Sequence, residues 1–191
     1  MNLKIKLKIK ISLNNMSTYS DKEYNSGQGM LTTVWGPSLW HFLHTMSFNY
    51  PNAPTHDEKQ QYMQFILNLK YILPCKYCRI NLKKNFKALP LKLASMKNRE
   101  TFSKYIYDLH EHINKMLCKK SGLTYDDVRE RYEHFRARCS VKVKKIKEKG
   151  CTESLYKGEK SKCIIKIVPQ SRKCKTFQMN SSCKKKLVKI Y

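Results

Sequence analysis

Pro74 divides this chain into what comes before a helix end and what must start anew after it. Upstream, Tyr62, Phe65, Ile66, Leu69, Ile72 and Leu73 recur at helical spacing. A proline lacks the N–H that would continue the ladder and crowds the carbonyl one turn back, so the helix stops there. Cys75-Lys76-Tyr77-Cys78 follow at once, placing two cysteines on the first turn of a new helix. The free N–H groups of a helix N-terminus favour an anionic sulfur, so at least one of the two thiols is expected to ionise near neutral pH. Such a pair can open and close a disulfide. Its other common use is as half of a zinc site, but neither a second Cys-x-x-Cys nor a His-x(3–5)-His follows to complete one.

The flanking sequence reads as helix on both sides. Trp35-Gly36-Pro37-Ser38-Leu39-Trp40-His41-Phe42-Leu43-His44 has helical apolar spacing with a proline near its start, and Trp40 and His44, four apart, share a face. Asn49-Tyr50-Pro51-Asn52-Ala53-Pro54 breaks it. Thr55-His56-Asp57-Glu58 is a capping box that opens the helix ending at Pro74. The helix of the cysteine pair runs through Ile80, Leu82 and Phe86 to a loop at 87–97 around Pro90. Asn98 can cap a helix over about 99–119 whose stripe is Phe102, Tyr105, Ile106, Leu109, Ile113, Met116 and Leu117, with His110 and Asn114 four apart beside it. Gly122 ends that segment, and Thr124-Tyr125-Asp126-Asp127 caps a short helix bearing Val128, Tyr132 and Phe135. Five helices and no strand between 33 and 139 define an all-α bundle.

Charge marks the boundaries. Residues 21–139 hold 19 basic and 11 acidic side chains, whereas 140–191 hold 16 basic and 3 acidic. The expected organisation is a flexible N-terminal extension (1–32), the helical domain (33–139) and a basic C-terminal extension (140–191). Residues 1–11 alternate lysine with leucine or isoleucine, as a lone strand would, and 17–32 are polar and read as a linker. No run is long and apolar enough for a transmembrane helix or a signal peptide, so a non-exported chain is expected. Its eight cysteines then point to redox or metal chemistry more than to a secreted scaffold. A basic extension attracts nucleic acid or anionic surfaces without specificity, and it equally suits a solvated tail. Within it, Cys163-Ile164-Ile165-Lys166-Ile167-Val168 is β-like, so the extension is expected to be partly β or disordered.

Taken in order, Trp35-Gly36-x-x-x-Trp40-x-x-x-His44, Asn49-Tyr50-Pro51, Pro74-Cys75-x-x-Cys78 and Leu109-His110-x-x-Ile113-Asn114-x-x-Leu117 resemble the Erv/ALR flavin-linked sulfhydryl oxidases over about 33–139. The basic, cysteine-bearing tail resembles the versions carried by large DNA viruses. The resemblance implies a four-helix bundle with a short fifth helix that binds FAD, usually as a homodimer. It implies that Gly36, Trp40, His44, Tyr50, His110, Asn114 and Tyr132 form the FAD site, that Cys78 is the flavin-proximal sulfur and that Cys75 is the outward one. It implies a thiol oxidase that takes electrons from protein dithiol substrates and gives them to dioxygen, producing hydrogen peroxide. A viral enzyme of this type would act in the host cytoplasm or the virion, a cellular one in the mitochondrial intermembrane space.

Three positions depart from that pattern: Pro37 in place of a frequent arginine, Glu111 in place of an asparagine, and Asp127 where cellular members often carry a cysteine. Cys139 then lacks its usual partner. Cys118 is a substitute, free buried thiols or a bond from Cys139 to the tail being favoured over it. Family members pass electrons through a second cysteine pair in a mobile tail, a shuttle role open here to Cys151, Cys163, Cys174 and Cys183. Two structural disulfides in a small tail module are the rival use of these four, and a zinc site comes third. For the whole chain, the competing readings are a thioredoxin-like oxidoreductase, which needs a βαβ framework, and a zinc-stapled basic nucleic-acid-binding protein.

Overall fold

The computed structural model describes residues 19–138, 151, 153–156, 159, 162–164, 166–169, 171–172 and 178–184. Among these the chain forms six α-helices: α1 (Asp21–Tyr24), α2 (Thr32–Asn49), α3 (His56–Ile72), α4 (Lys76–Ala88), α5 (Arg99–Met116) and α6 (Tyr125–Glu133). A 3₁₀ turn (Leu93–Met96) precedes α5, and two-residue strands β1 (Ala137–Arg138) and β2 (Glu153–Ser154) pair antiparallel. Among the described residues the fold is all-α, as expected, with almost no strand.

Side-chain caps set the helix starts. Thr55 with Glu58 and Thr124 with Asp127 form reciprocal capping boxes, and Asn98 accepts from the Thr101 amide. Asp127 thus completes the cap at the start of α6. α5 stops earlier than its stripe implies. The Lys119 amide reaches the Asn114 carbonyl at 2.8 Å and the Cys118 amide reaches that of Lys115 at 3.1 Å, the Schellman arrangement. Cys118 occupies the left-handed position of that motif, at φ 55°. Helix α2 begins three residues before Trp35, so Pro37 lies inside it and the Thr33 carbonyl receives no i+4 donor there.

Packing follows the apolar stripes. α2 lies against α5, α3 against α4, and α6 packs on both α2 and α5. The main core joins Leu43, Ile66, Leu69, Leu82, Phe86, Phe102, Ile106 and Leu109, so α2 to α5 all contribute to one interior. Burying each such side chain contributes about 1.5–3 kcal/mol. Phe48, Val128 and Tyr132 make a smaller cluster where α6 closes the bundle.

Two expectations at the ends need revision. Residues 20–31, within the stretch read as a linker, hold a capped helical turn and then dock on the bundle: the Met30 amide donates to the Pro74 carbonyl at 2.7 Å and Gly29 bridges Cys75. Isolated backbone bonds of this kind need no periodic sequence. In the tail, the described part of 163–168 forms no strand. Pairing falls instead at β1 and β2, where the Leu155 amide donates to the Arg136 carbonyl at 2.9 Å. The alternating segment 1–11 lies outside the described residues.

Candidate active site

Cys75 is the N-cap of α4, in extended backbone at φ −157°. It is disulfide-bonded to Cys78, with Cα atoms 5.2 Å apart. The Cys78 amide donates to Cys75 Sγ at 3.2 Å, so the helix terminus presents an N–H to that sulfur. Both cysteines are half-buried. Cys78 packs on the main core in company with Trp35, Leu39 and Trp40 of α2. Arg79, one residue on, donates to the Leu73 carbonyl and ties the new helix to the end of the old one.

A second group of side chains gathers between α2, α5 and α6. The rings of Trp40 and His110 stack at 3.9 Å, only 5° from parallel. His44 Nε2 and His110 Nδ1 share a hydrogen bond of 3.0 Å. Tyr132 closes the group, its ring 5.3 Å from His44 and its hydroxyl 3.2 Å from His41 Nδ1. Burial, then the neighbouring His110 and His41, push His44 down to about 3. Burial pushes His110 down to about 4, Glu111 opposing and Lys119 assisting. Both imidazoles are therefore neutral at pH 7. Burial likewise lowers His41 and raises Tyr132.

One atom is left over. His44 Nδ1 is buried without a hydrogen-bond partner, a cost of about 1–3 kcal/mol unless a group from outside the chain meets it. Flat aromatic faces, neutral imidazoles and one orphaned polar nitrogen suit a planar heteroaromatic cofactor. Of the residues singled out in the sequence, Trp40, His44, His110 and Tyr132 are brought together. Asn114 stands one turn along α5 from His110, its amide donating to Glu111 Oε1 at 2.9 Å. Gly36 stands one turn before Trp40, where a Cβ would meet no atom of the chain. Tyr50 is fully buried between Tyr62 and Phe102, its hydroxyl donating to the Met96 carbonyl at 3.0 Å. Sequence reasoning passed over His41 and Lys119. His41 could have been found three residues before His44, whereas Lys119 gains its place only through the Schellman turn.

The remaining cysteines are distributed unevenly. Cys118 is a free, exposed thiol, so it is not bridged to Cys139, which lies outside the described residues, and it is not a buried thiol either. Cys151 is disulfide-bonded, while Cys163 and Cys183 are free. Cys174 lies outside the described residues. Among the described residues no three His, Cys, Asp or Glu side chains converge as metal ligands would, so the zinc-stapled alternative has no ligand set there. The thioredoxin-like alternative lacks its framework, since the described strands are two residues long.

A Cys-x-x-Cys disulfide at the N-terminus of α4, its Cys78 packed on the same core as Trp40, in a helical bundle that also holds an aromatic and imidazole cluster, is the arrangement of a thiol–disulfide redox domain. Sequence comparison agrees: the Erv1 / Alr family pattern matches residues 37–133, and the chain belongs to that family. A relative named "Probable FAD-linked sulfhydryl oxidase" from Acanthamoeba polyphaga mimivirus is 35% identical over 99 residues, covering 52% of this chain and 68% of that protein. The FAD-linked sulfhydryl oxidase of an African swine fever virus isolate is 33% identical over 99 residues, covering 52% of this chain and 80% of the relative. The crystal structure of the FAD-binding domain of Erv1 from Saccharomyces cerevisiae is 25% identical, with a TM-score of 0.49 over 54% of this chain and 94% of that one.

Proposed function

We propose that this chain is an FAD-dependent thiol oxidase that makes disulfides in protein substrates, with Cys75 and Cys78 as its redox pair. The observation that carries this reading is the disulfide seated on the N-terminus of α4, its inner cysteine packed on the same core as Trp40. Relatives of viral and cellular origin bearing the name FAD-linked sulfhydryl oxidase support it.

A substrate thiolate attacks Cys75 Sγ, the Cys75–Cys78 bond breaks, and Cys78 leaves as a thiolate. The second substrate thiol, deprotonated, attacks its neighbour's sulfur in the mixed disulfide and releases Cys75, whose sulfur accepts the Cys78 N–H. The substrate loses two electrons and two protons, and the cysteine pair gains the electrons. A bound FAD would supply the acceptor for that electron pair and its onward transfer, with two protons, to dioxygen as hydrogen peroxide. Trp40, His44, His110 and Tyr132 would hold FAD through flat faces and the unpaired His44 nitrogen, with Gly36 and Asn114 one turn away on α2 and α5, while Tyr50, buried with its hydroxyl on the Met96 carbonyl, supports the core beneath α2. Lys119, close enough to His110 to lower its basicity, is suited to a phosphate. Burial of His44 and the partial burial of His110 keep the two imidazoles neutral.

The catalytic unit is residues 33–139, carrying the N-terminal extension 1–32 and the basic extension 140–191. The free thiols of Cys163 and Cys183 remain available for a shuttle role. Phe42 and Phe65, both exposed and packed edge-to-face at 6.1 Å on α2 and α3, form an aromatic pair of the kind two copies bury in a homodimer. The basic extension suits a nucleic acid or another anionic surface in the host cytoplasm or the virion. Among the described residues no helix is long and apolar enough to cross a membrane. Dithiothreitol-dependent oxygen consumption by the purified chain tests the reading: stoichiometric peroxide is expected, and its absence from flavin-replete protein overturns it.

A further inference from the structure

The segment before α2 is built onto the reactive disulfide. The Met30 amide donates to the Pro74 carbonyl at 2.7 Å, and the indole Nε1 of Trp35 donates to the Met30 carbonyl at 3.1 Å from the α2 side. Gly29, bridged to Cys75, sits at φ +95°, and a Cβ there would lie 2.7 Å from the Pro74 oxygen and 3.0 Å from Cys75 Cα. Only glycine permits this approach. The side chains of Met30 and Leu31, 69% and 74% exposed, consequently stand beside the loop that carries Cys75. Ile72 and Tyr77, 66% and 68% exposed, flank the same loop within three residues of Pro74. Four large apolar side chains are thus left in water on the two segments that meet at this disulfide, a lip for a partner to contact. Residues 1–74 contain no cysteine, so the docked segment has no thiol to exchange with Cys75 and serves as a wall of the site.

Charge decides what this lip accepts. Between Glu58 and Glu100 the sequence has ten lysines and arginines and no acidic residue. Helix α4, which starts at the disulfide, carries Lys76, Arg79, Lys83, Lys84 and Lys87. The ammonium groups of Lys70 and Lys83 each stand 5.1 Å from the centre of the exposed Tyr71 ring. We propose that Met30, Leu31, Ile72 and Tyr77, together with Lys70 of α3 and the lysines of α4, form the docking surface for an acidic segment of the dithiol substrate. The inference rests on the oxidase reading and names the substrate class for that same site.

The test uses the full chain and two peptides with the same Cys-x-x-Cys dithiol, one flanked by glutamates and one by lysines. Electrostatic steering raises encounter rates by about 10- to 1,000-fold at low salt and is screened beyond a Debye length of about 8 Å at physiological ionic strength. The acidic peptide is expected to show about tenfold higher kcat/KM than the basic one at low salt, the two converging as salt is raised. In a Lys70→Glu, Lys83→Glu double variant the preference collapses or inverts. The ratio is taken within each protein, so a general loss of activity cancels. Equal kcat/KM for the two peptides in the unmodified chain at low salt overturns the inference, as does an unchanged ratio in the variant. Duplex DNA bound at α4, without discrimination between peptides, overturns it in favour of a nucleic-acid surface. Dithiothreitol separates the two levels: turnover of this small dithiol without peptide preference sinks the docking surface alone, and no turnover sinks the oxidase reading with it.

Discussion

His44 on α2 and His110 on α5 are joined by a 3.0 Å hydrogen bond between Nε2 and Nδ1, a buried and a half-buried imidazole linking the helices that hold the aromatic cluster. Burial depresses both, to about 3 and about 4, so each is neutral in the folded chain, whereas an unfolded histidine titrates near 6.5. The unfolded state therefore binds more protons as pH falls. Stability is fully present above pH 6.5 and is lost below it, by about 1.4 kcal/mol per pH unit for each histidine, down to the folded values. Urea midpoints measured from pH 8 to pH 4.5 should be level and then decline from about pH 6.5. A flat profile across that range would remove the neutral buried pair.

Cys118 occupies the left-handed position of the turn that ends α5, where residues other than glycine are strained. Cys118→Gly is expected to stabilise the fold by about 1 kcal/mol, and Cys118→Ala to change it little. Urea unfolding of the three proteins checks this, a destabilised glycine variant being the contrary result.

Gly29→Val places a branched side chain against the Pro74 carbonyl at a φ that valine does not tolerate. The N-terminal segment should leave the bundle while α2 to α6 stay folded. Limited proteolysis near residues 20–31 should accelerate about tenfold or more with little change in helical circular dichroism. Unchanged proteolysis would mean that the bond from Met30 to Pro74 does not hold the segment.

In the disulfide form Cys75 Sγ accepts the Cys78 N–H of the helix terminus, whereas Cys78 packs against the main core, so after reduction the two thiols should differ in reactivity. Iodoacetamide should modify Cys75 about tenfold faster than Cys78, as read by mass spectrometry of quenched samples. The reverse order would exchange their roles as outward and inner sulfur.

Local rules made much of this fold readable. Thr55, Asn98 and Thr124 announced their helices because a cap needs only a hydroxyl or amide at the right spacing, and Pro74 announced the new helix at Cys75. The docking of Gly29 and Met30 was not readable. It consists of single backbone bonds between residues more than 40 positions apart, which leave no periodic trace. The end of α5 was misjudged at Cys118 because the turn there uses a residue that rarely adopts left-handed backbone. At the site, helical spacing put Trp40 with His44 and His110 with Asn114, but spacing says nothing of how α2 meets α5. The hydrogen bond from His44 to His110, and the contact of His41 with Tyr132, are products of that meeting.

The central claim is that the Cys75–Cys78 pair feeds a flavin, and the visible spectrum of the purified chain during anaerobic addition of dithiothreitol tests it most directly. Oxidised flavin absorbs near about 370 and 450 nm. The account predicts both bands in the unmodified protein and in Cys78→Ser, with the 450 nm band bleaching on addition of dithiol at least about a hundredfold more slowly in the variant. A protein that folds with added FAD yet shows no flavin bands, or one whose bleaching is as fast in Cys78→Ser, would contradict it.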